Sequence, residues 1–126
     1  MNLSDDYKYG FLIGVIEGEG CVHIQHIGKN KDNLTGNVSI VNTDKNLIEF
    51  LDQILKLFNF KYTVRKHNTE EYLKKTGYKE AWRITITNRI DFQKLFENYH
   101  IEGSRKKENL RILLEKRKRK IYARRL

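Results

Sequence analysis

Glu17 and Glu19 stand two positions apart in LIGVIEGEG, residues 12–20, among three glycines, Gly10, Gly14 and Gly18, spaced by four. On a helix that spacing puts the glycines on one face. Each glycine in a helix interior costs roughly 1 kcal/mol relative to alanine. The stripe as a whole therefore costs about 3 kcal/mol, and close packing of a second helix is the usual use of such bare backbone. The two acids fall at the C-terminal end of this helix, where the dipole is negative and lysine or arginine is the stabilising choice. A carboxylate there lies beside main-chain carbonyls that lack intrahelical partners. A carboxylate of Glu17 or Glu19 with such carbonyls makes a donor set of hard oxygens, which suits Mg²⁺ rather than Zn²⁺. Solvation of both acids and termination of the helix at Gly18 or Gly20 are simpler readings, but they leave Gly10 and Gly14 unexplained.

The elements that must position these residues follow from hydrophobic periodicity. Asp5 or Asp6 can cap a helix through YKYGFLIGVIEG, with Phe11, Leu12, Val15 and Ile16 apolar. GCVHIQHIG alternates as a strand, with Val22 and Ile24 on one side and Cys21, His23 and Gln25 on the other. KNKDNLTG is a turn, and NVSIVNT is a second strand with Val38 and Ile40 inward. Asp44 caps a helix whose Leu47, Ile48, Leu51, Ile54, Leu55 and Phe58 recur at helical spacing. FKYTVRKHNT reads as a third strand with Phe60, Tyr62 and Val64 inward. EEYLKKTGYK reads as a charged hairpin connection, and EAWRITITN as a fourth strand with Trp82, Ile84 and Ile86 inward. Phe92, Leu95, Phe96 and Tyr99 mark a third helix, and 108–120 a fourth. The predicted class is α+β: two αββ units whose hairpins form one antiparallel sheet, with helices on one face because each strand is apolar on one side only.

The opposite sheet face carries His23, Gln25, Lys29, Asn37, Ser39, Lys61, Thr63, Arg65, His67, Arg83, Thr85 and Thr87, with Lys31 in the adjoining turn. Any one of these residues fits an ordinary solvated face. Together they give several cations and no obvious acid, and a two-stranded ribbon fits a DNA major groove where such side chains read base edges.

Bulk composition narrows the classes. The chain has 126 residues, enough for one domain's core. Its net charge of +9 favours a polyanionic partner. Seven basic residues and no acid fall in 116–126, so the remainder carries only +2. The charge argument therefore rests on placement, not on the total. A lone cysteine, Cys21, excludes an internal disulfide framework and a Cys-rich zinc site. No apolar run reaches the ~18–20 residues of a membrane span, and the N-terminal stretch reads as neither signal nor transit peptide. The expectation is a protein that works inside a cell, with no membrane and no small-molecule cofactor.

LIGVIEGEG resembles the nine-residue LAGLIDADG motif. Leu12, Gly14, Ile16 and Gly20 match it, Glu17 and Glu19 replace its two aspartates, and Ile13, Val15 and Gly18 depart from it. The whole chain to about residue 115 follows that family's αββαββα plan, with a saddle-shaped sheet. The resemblance implies a homing endonuclease domain over 1–115 and a basic tail over 116–126, in which Lys116 and Arg117 touch the DNA backbone. It implies a homodimer closed along Gly10, Gly14 and Gly18, because cutting two strands needs two centres and the chain has one motif. It also implies hydrolysis of both strands of a long, pseudo-palindromic double-stranded site. Glu19 then holds the catalytic Mg²⁺, for which Mn²⁺ substitutes. Asn42, at the end of the second strand, takes the place of the polar residue that orders water. Lys106 takes the place of the basic residue that supports the transition state, with Arg105 and Lys107 as alternatives. The rival reading is a nonenzymatic nucleic-acid binder, such as an RNA maturase of the same fold. The paired acids argue against it, since a pure binder has no use for them beside phosphate.

Overall fold

The computed structural model describes residues 3–26 and 34–125, with the side chains of 116–125 excepted. Helix α1 (Asp5–Glu19) is followed by strands β1 (Gly20–His26) and β2 (Leu34–Asn42), helix α2 (Lys45–Leu57) and strand β3 (Thr63–Lys66). A short helix α3 (Glu70–Thr76), strand β4 (Trp82–Ile86) and helices α4 (Arg89–Glu97) and α5 (Arg105–Arg125) complete the described chain. The strands form one antiparallel sheet in the order β1-β2-β4-β3. The α+β class with an antiparallel four-stranded sheet is as the sequence predicts.

Alternation builds the core. Val22, Leu34, Val38, Ile40, Ile84 and Ile86 are buried on one sheet face. Over them lie Leu12, Ile13 and Ile16 of α1, Ile48, Leu51, Ile54 and Leu55 of α2, Phe92 and Leu95 of α4, and Leu110, Leu113 and Leu114 of α5. Gly36 is hemmed in by β1 and by α5: a Cβ there would lie 2.2 Å from the His23 carbonyl oxygen of β1 and 2.6 Å from Leu113 Cδ2 of α5. Gly36→Ala is therefore expected to destabilise the fold by roughly 1–3 kcal/mol or more, the range for overpacked cores. An unchanged urea midpoint would show that β1 and α5 leave room for a side chain at this point.

Several local expectations are corrected. The cap of α1 is Ser4, whose Oγ accepts the Tyr7 N–H at 3.2 Å, so Asp5 and Asp6 sit in the first turn instead. The third strand is shorter than its alternation suggests. The Lys61 N–H goes to buried Asp91 at 2.9 Å and the Tyr62 hydroxyl to Asp52, so residues 60–62 are tied to helices rather than to the ladder. Val64, expected inward, is 39% exposed because β3 is an edge strand. The supposed hairpin connection contains α3. Thr69 caps it, Glu70 and Glu71 occupy its first turn, Lys74 and Lys75 its last, and Gly77 takes the left-handed conformation (φ 69°) that ends it. The last helix is longer than 108–120, and its backbone runs unbroken through the basic stretch to Arg125. Among the described residues no helix is long and apolar enough to cross a membrane.

Candidate active site

α1 presents two opposite faces. Leu12, Ile13 and Ile16 point into the core, while Gly10, Gly14 and Gly18 are exposed on the other side. A Cβ added at any of the three would meet nothing within 4 Å. The stripe is thus not used within this chain. Tyr7, three residues before Gly10 and 55% exposed, shares that outward face. At the end of the helix the chain turns directly into β1 through Gly20, where a Cβ would lie 2.8 Å from the Ile16 carbonyl oxygen. Only glycine fits that junction without a shift.

Glu19 is exposed at this junction, and Asn42 at the end of β2 reaches it. Asn42 Nδ2 donates to Glu19 Oε2 at 2.7 Å. The amide orientation is set by its other end, because Asn42 Oδ1 accepts the Asp44 N–H at 2.7 Å and leaves only the donor to face the carboxylate. Asp44 in turn caps α2 through Asn46 and Leu47. The sequence-predicted pair Glu19 and Asn42 is therefore brought together, with one carboxylate oxygen engaged and oriented.

Glu17 is placed differently from its neighbour. Its Oε2 accepts the Tyr99 hydroxyl and the Ser104 Oγ (2.7 Å). These bonds, Tyr99 first, hold its carboxyl below the usual carboxylate range. The Tyr99 hydroxyl is pushed well above its ordinary value by burial and by Glu17, so it stays a donor. Ser104 also opens α5, accepting the Lys107 N–H at 3.2 Å. Lys106 then closes the arrangement: its Nζ donates to the carbonyls of Ile16 (3.0 Å) and Glu17 (2.6 Å). α1 has no basic residue in its last turn. The cation that its dipole requires arrives from α5, 90 residues on from Ile16. In this arrangement Lys106 holds the helix end that carries Glu19, while Arg105 is exposed and Lys107 lies over the Phe96 ring at 5.6 Å. Tyr99 and Ser104 escaped the sequence reading. Tyr99 reads as one more apolar helix position, and Ser104 has a cap-like place before α5 as its single signal.

The helix-free sheet face is defined by register. Cys21 pairs with Ser39, His23 with Asn37, and Ser39 with Thr85, which pairs with Thr63, so one row of small polar side chains crosses all four strands. Arg83 lies opposite Arg65. None of the four strands contains an acid. Thr63, Arg65, Lys66, His67, Arg83 and Thr85 line a groove of about 310 Å³, in which Lys66 was not anticipated. His23, Gln25, Arg65 and Arg83 are exposed; Asn37, Ser39 and Thr85 are half-buried. Lys61, His67 and Thr87 are exposed but flank the paired strands rather than belonging to them. Lys29 and Lys31 lie outside the described residues, as do the side chains of Lys116 and Arg117.

Among the described residues no three His, Cys, Asp or Glu side chains gather as a metal cage. The donor set at Glu19 still fits Mg²⁺, which takes one or two carboxylates and completes its shell with water and substrate phosphate. Glu17, turned inward and doubly bonded, does not fit that role.

Comparison with known proteins bears on both fold and motif. Comparison with curated protein sequences finds no match. Among solved structures the chain is similar to the group I intron-encoded homing endonuclease I-CeuI complexed with DNA, with a TM-score of 0.63 at 20% identity over 98% of this chain and 60% of that one. It is similar to the homing endonuclease I-CvuI in complex with its target, at 0.61 and 17% over 90% and 68%. It is also similar to the homing endonuclease I-TnaI, at 0.51 and 22% over 99% and 76%. At these identities the likeness is one of fold. The family model described as a LAGLIDADG-like domain matches residues 6–100, three quarters of the chain and the whole of LIGVIEGEG. The chain therefore belongs to the LAGLIDADG-like domain family.

Proposed function

We propose that the protein is a site-specific endonuclease for double-stranded DNA, acting as a homodimer with a divalent metal at Glu19. The observation that carries this reading is the placement of Glu19. An oriented, exposed carboxylate stands where an outward glycine face ends and an acid-free sheet face begins. Two copies packed along Gly10, Gly14 and Gly18 would bring two Glu19 carboxylates near one axis, where they repel unless cations lie between them. Glu19, with the Gly18 carbonyl, would hold Mg²⁺, or Mn²⁺ in its place. Bound there, the metal supplies activation of a water for in-line attack on phosphorus and stabilisation of the leaving 3′ oxygen. Asn42 keeps the Glu19 carboxylate in one orientation. Lys106 fixes the helix terminus and offsets its negative dipole. The sheet face and the basic end of α5 take the duplex. The similar homing endonuclease I-CvuI was solved with DNA in the presence of Ca and, with uncleaved DNA, of Mg, which supports the use of a divalent metal on this fold. Selection of bound duplexes from a randomised pool in Ca²⁺, followed by Mg²⁺ addition, tests it. Both strands of the recovered duplex should be cut. Recovery without cutting would favour the nonenzymatic binder.

Arg65 and Arg83 supply a separate test of the DNA face. Like charges directly opposite on a sheet are destabilising, by the roughly 0.2–1 kcal/mol scale of cross-strand pairs. Arg65→Thr is expected to stabilise the free protein slightly while weakening its duplex. Arg83→Ala should relax preference at one symmetric pair of positions, since a bidentate base contact discriminates by ~1–3 kcal/mol. Melting curves with and without duplex should therefore shift in opposite directions for Arg65→Thr. A shift in the same direction would place the pair outside the DNA contact.

A further inference from the structure

α3 interrupts the β3–β4 connection and adds nothing to the buried core: none of its residues is buried, and only Leu73 is half-buried. A seven-residue helix is far below the length at which helices hold in water, and its caps offset only part of the ordering cost. Hairpin loops usually run to about two to five residues, so the excursion from β3 to β4 is far longer than joining them requires. The charges along it are segregated. Glu70 and Glu71 occupy the first turn, where the dipole favours them, and Glu80 is paired with Lys66 at 2.7 Å. That leaves Lys74 and Lys75 in the last turn of α3 and Lys79 in the turn that follows it. Beside them Tyr72 and Tyr78 are 44% and 64% exposed, with ring centroids 6.0 Å apart. Thr76 links the two: its Oγ1 donates to the Tyr72 carbonyl at 2.7 Å and accepts from the Tyr78 N–H at 3.4 Å. Paired, exposed tyrosines beside cations make a surface that is apolar in body and polar at the tip, a composition enriched at interfaces.

The place of α3 in the fold names the occupant. Lys66 and Asn42 both register with Trp82. The connection therefore leaves the sheet at the end where Asn42 meets Glu19, and from the edge strand that walls the Arg65–Arg83 groove. The ladder there closes at His67, whose N–H donates to the Ala81 carbonyl at 2.8 Å, so the excursion begins where the groove ends.

We infer that α3 and its flanking turn are a clamp for the duplex backbone: Lys74, Lys75 and Lys79 contact phosphates, and the hydroxyls of Tyr72 and Tyr78 contact phosphate or sugar. The inference rests on the DNA reading proposed above and extends it to a segment outside the sheet. Contacts of this class position a duplex without reading its sequence. The test compares the full chain with the triple variant Lys74→Gln, Lys75→Gln, Lys79→Gln, and separately with Tyr72→Phe plus Tyr78→Phe. The probe is the duplex that the wild type recovers from the randomised pool. Glutamine keeps the side-chain stem and helix propensity, so folding is unaffected. The triple variant should shorten the hydroxyl-radical footprint and flatten the plot of log affinity against log salt by ~0.9 per lost phosphate contact, about 2.7 per protomer. The tyrosine variant should weaken binding with the salt slope unchanged. Base preferences should stay the same in both. An unaltered footprint and slope with a duplex that the wild type binds would overturn the clamp alone. Loss of the dimer in the triple variant, seen by sedimentation, would make α3 a contact between copies and overturn it as well. Failure of the wild type to recover any duplex would remove the clamp and the DNA reading together.

Discussion

Glu19→Gln is expected to leave folding and DNA binding intact and to reduce cleavage in Mg²⁺ by orders of magnitude. Glutamine has the same shape, and its carbonyl oxygen can still accept the Asn42 Nδ2 that now meets Glu19 Oε2 at 2.7 Å. No packing is lost, because Glu19 is exposed. What disappears is the charge that would hold the proposed cation, and with it the water activation that the cation would supply. Metal-free affinity for DNA should hold or rise, since an anion facing phosphate is gone. The neighbours give a ranking. Asn42→Ala removes an orienting partner, a loss that costs about 10–100-fold at metal sites, so Glu19→Gln should cost more. Glu17→Gln should act on the fold rather than on the chemistry, because Glu17 is bonded to Tyr99 and Ser104 and not turned toward Glu19. A gel assay of the three variants on one recovered duplex measures the order. Wild-type cleavage by Glu19→Gln would end the metal reading.

Gly14→Leu is expected to convert the protein into a folded monomer that no longer makes double-strand breaks. Inside one chain the substitution is harmless: a Cβ at Gly14 meets nothing within 4 Å. Leucine should even strengthen the isolated helix by up to ~1 kcal/mol, since glycine is the poorer helix former. Between two chains the effect reverses. A branched side chain on a glycine stripe keeps two helices from close approach. The variant should therefore show a raised or unchanged melting temperature together with a lower sedimentation coefficient. Loss of thermal stability with a dimer intact would mean that the stripe serves this chain's own fold, contrary to the open space around it. A monomeric wild type at micromolar concentration would remove the symmetric-dimer proposal at once.

Much of this protein is legible without coordinates, because its signals are local and periodic. Alternation in GCVHIQH and WRITI states which side chains face the core, and the apolar stripe of Ile48, Leu51 and Leu55 states which side of α2 is buried. LIGVIEGEG announces both the helix and the family, and the family match over residues 6–100 agrees. Other features depend on partners distant in the chain, and no window of sequence contains them. Glu17 and Glu19 look alike in the motif, yet one is bonded by Tyr99 and Ser104, 82 and 87 residues away, and the other stands free to meet Asn42. The helix that seems to lack a basic terminus is completed by Lys106 from α5. Gly36 looks like an ordinary turn glycine until the β1 backbone and α5 close in on it. β3 shortens because Asp91 and Asp52 claim the groups of Lys61 and Tyr62 before the sheet can. Periodicity settles which face an element buries where that element is covered, as in β1, β4 and α2, but not at the edge strand β3, whose Val64 stays exposed. Hydrogen-bond partners and close approaches depend on which surfaces meet, and only the packed chain decides that.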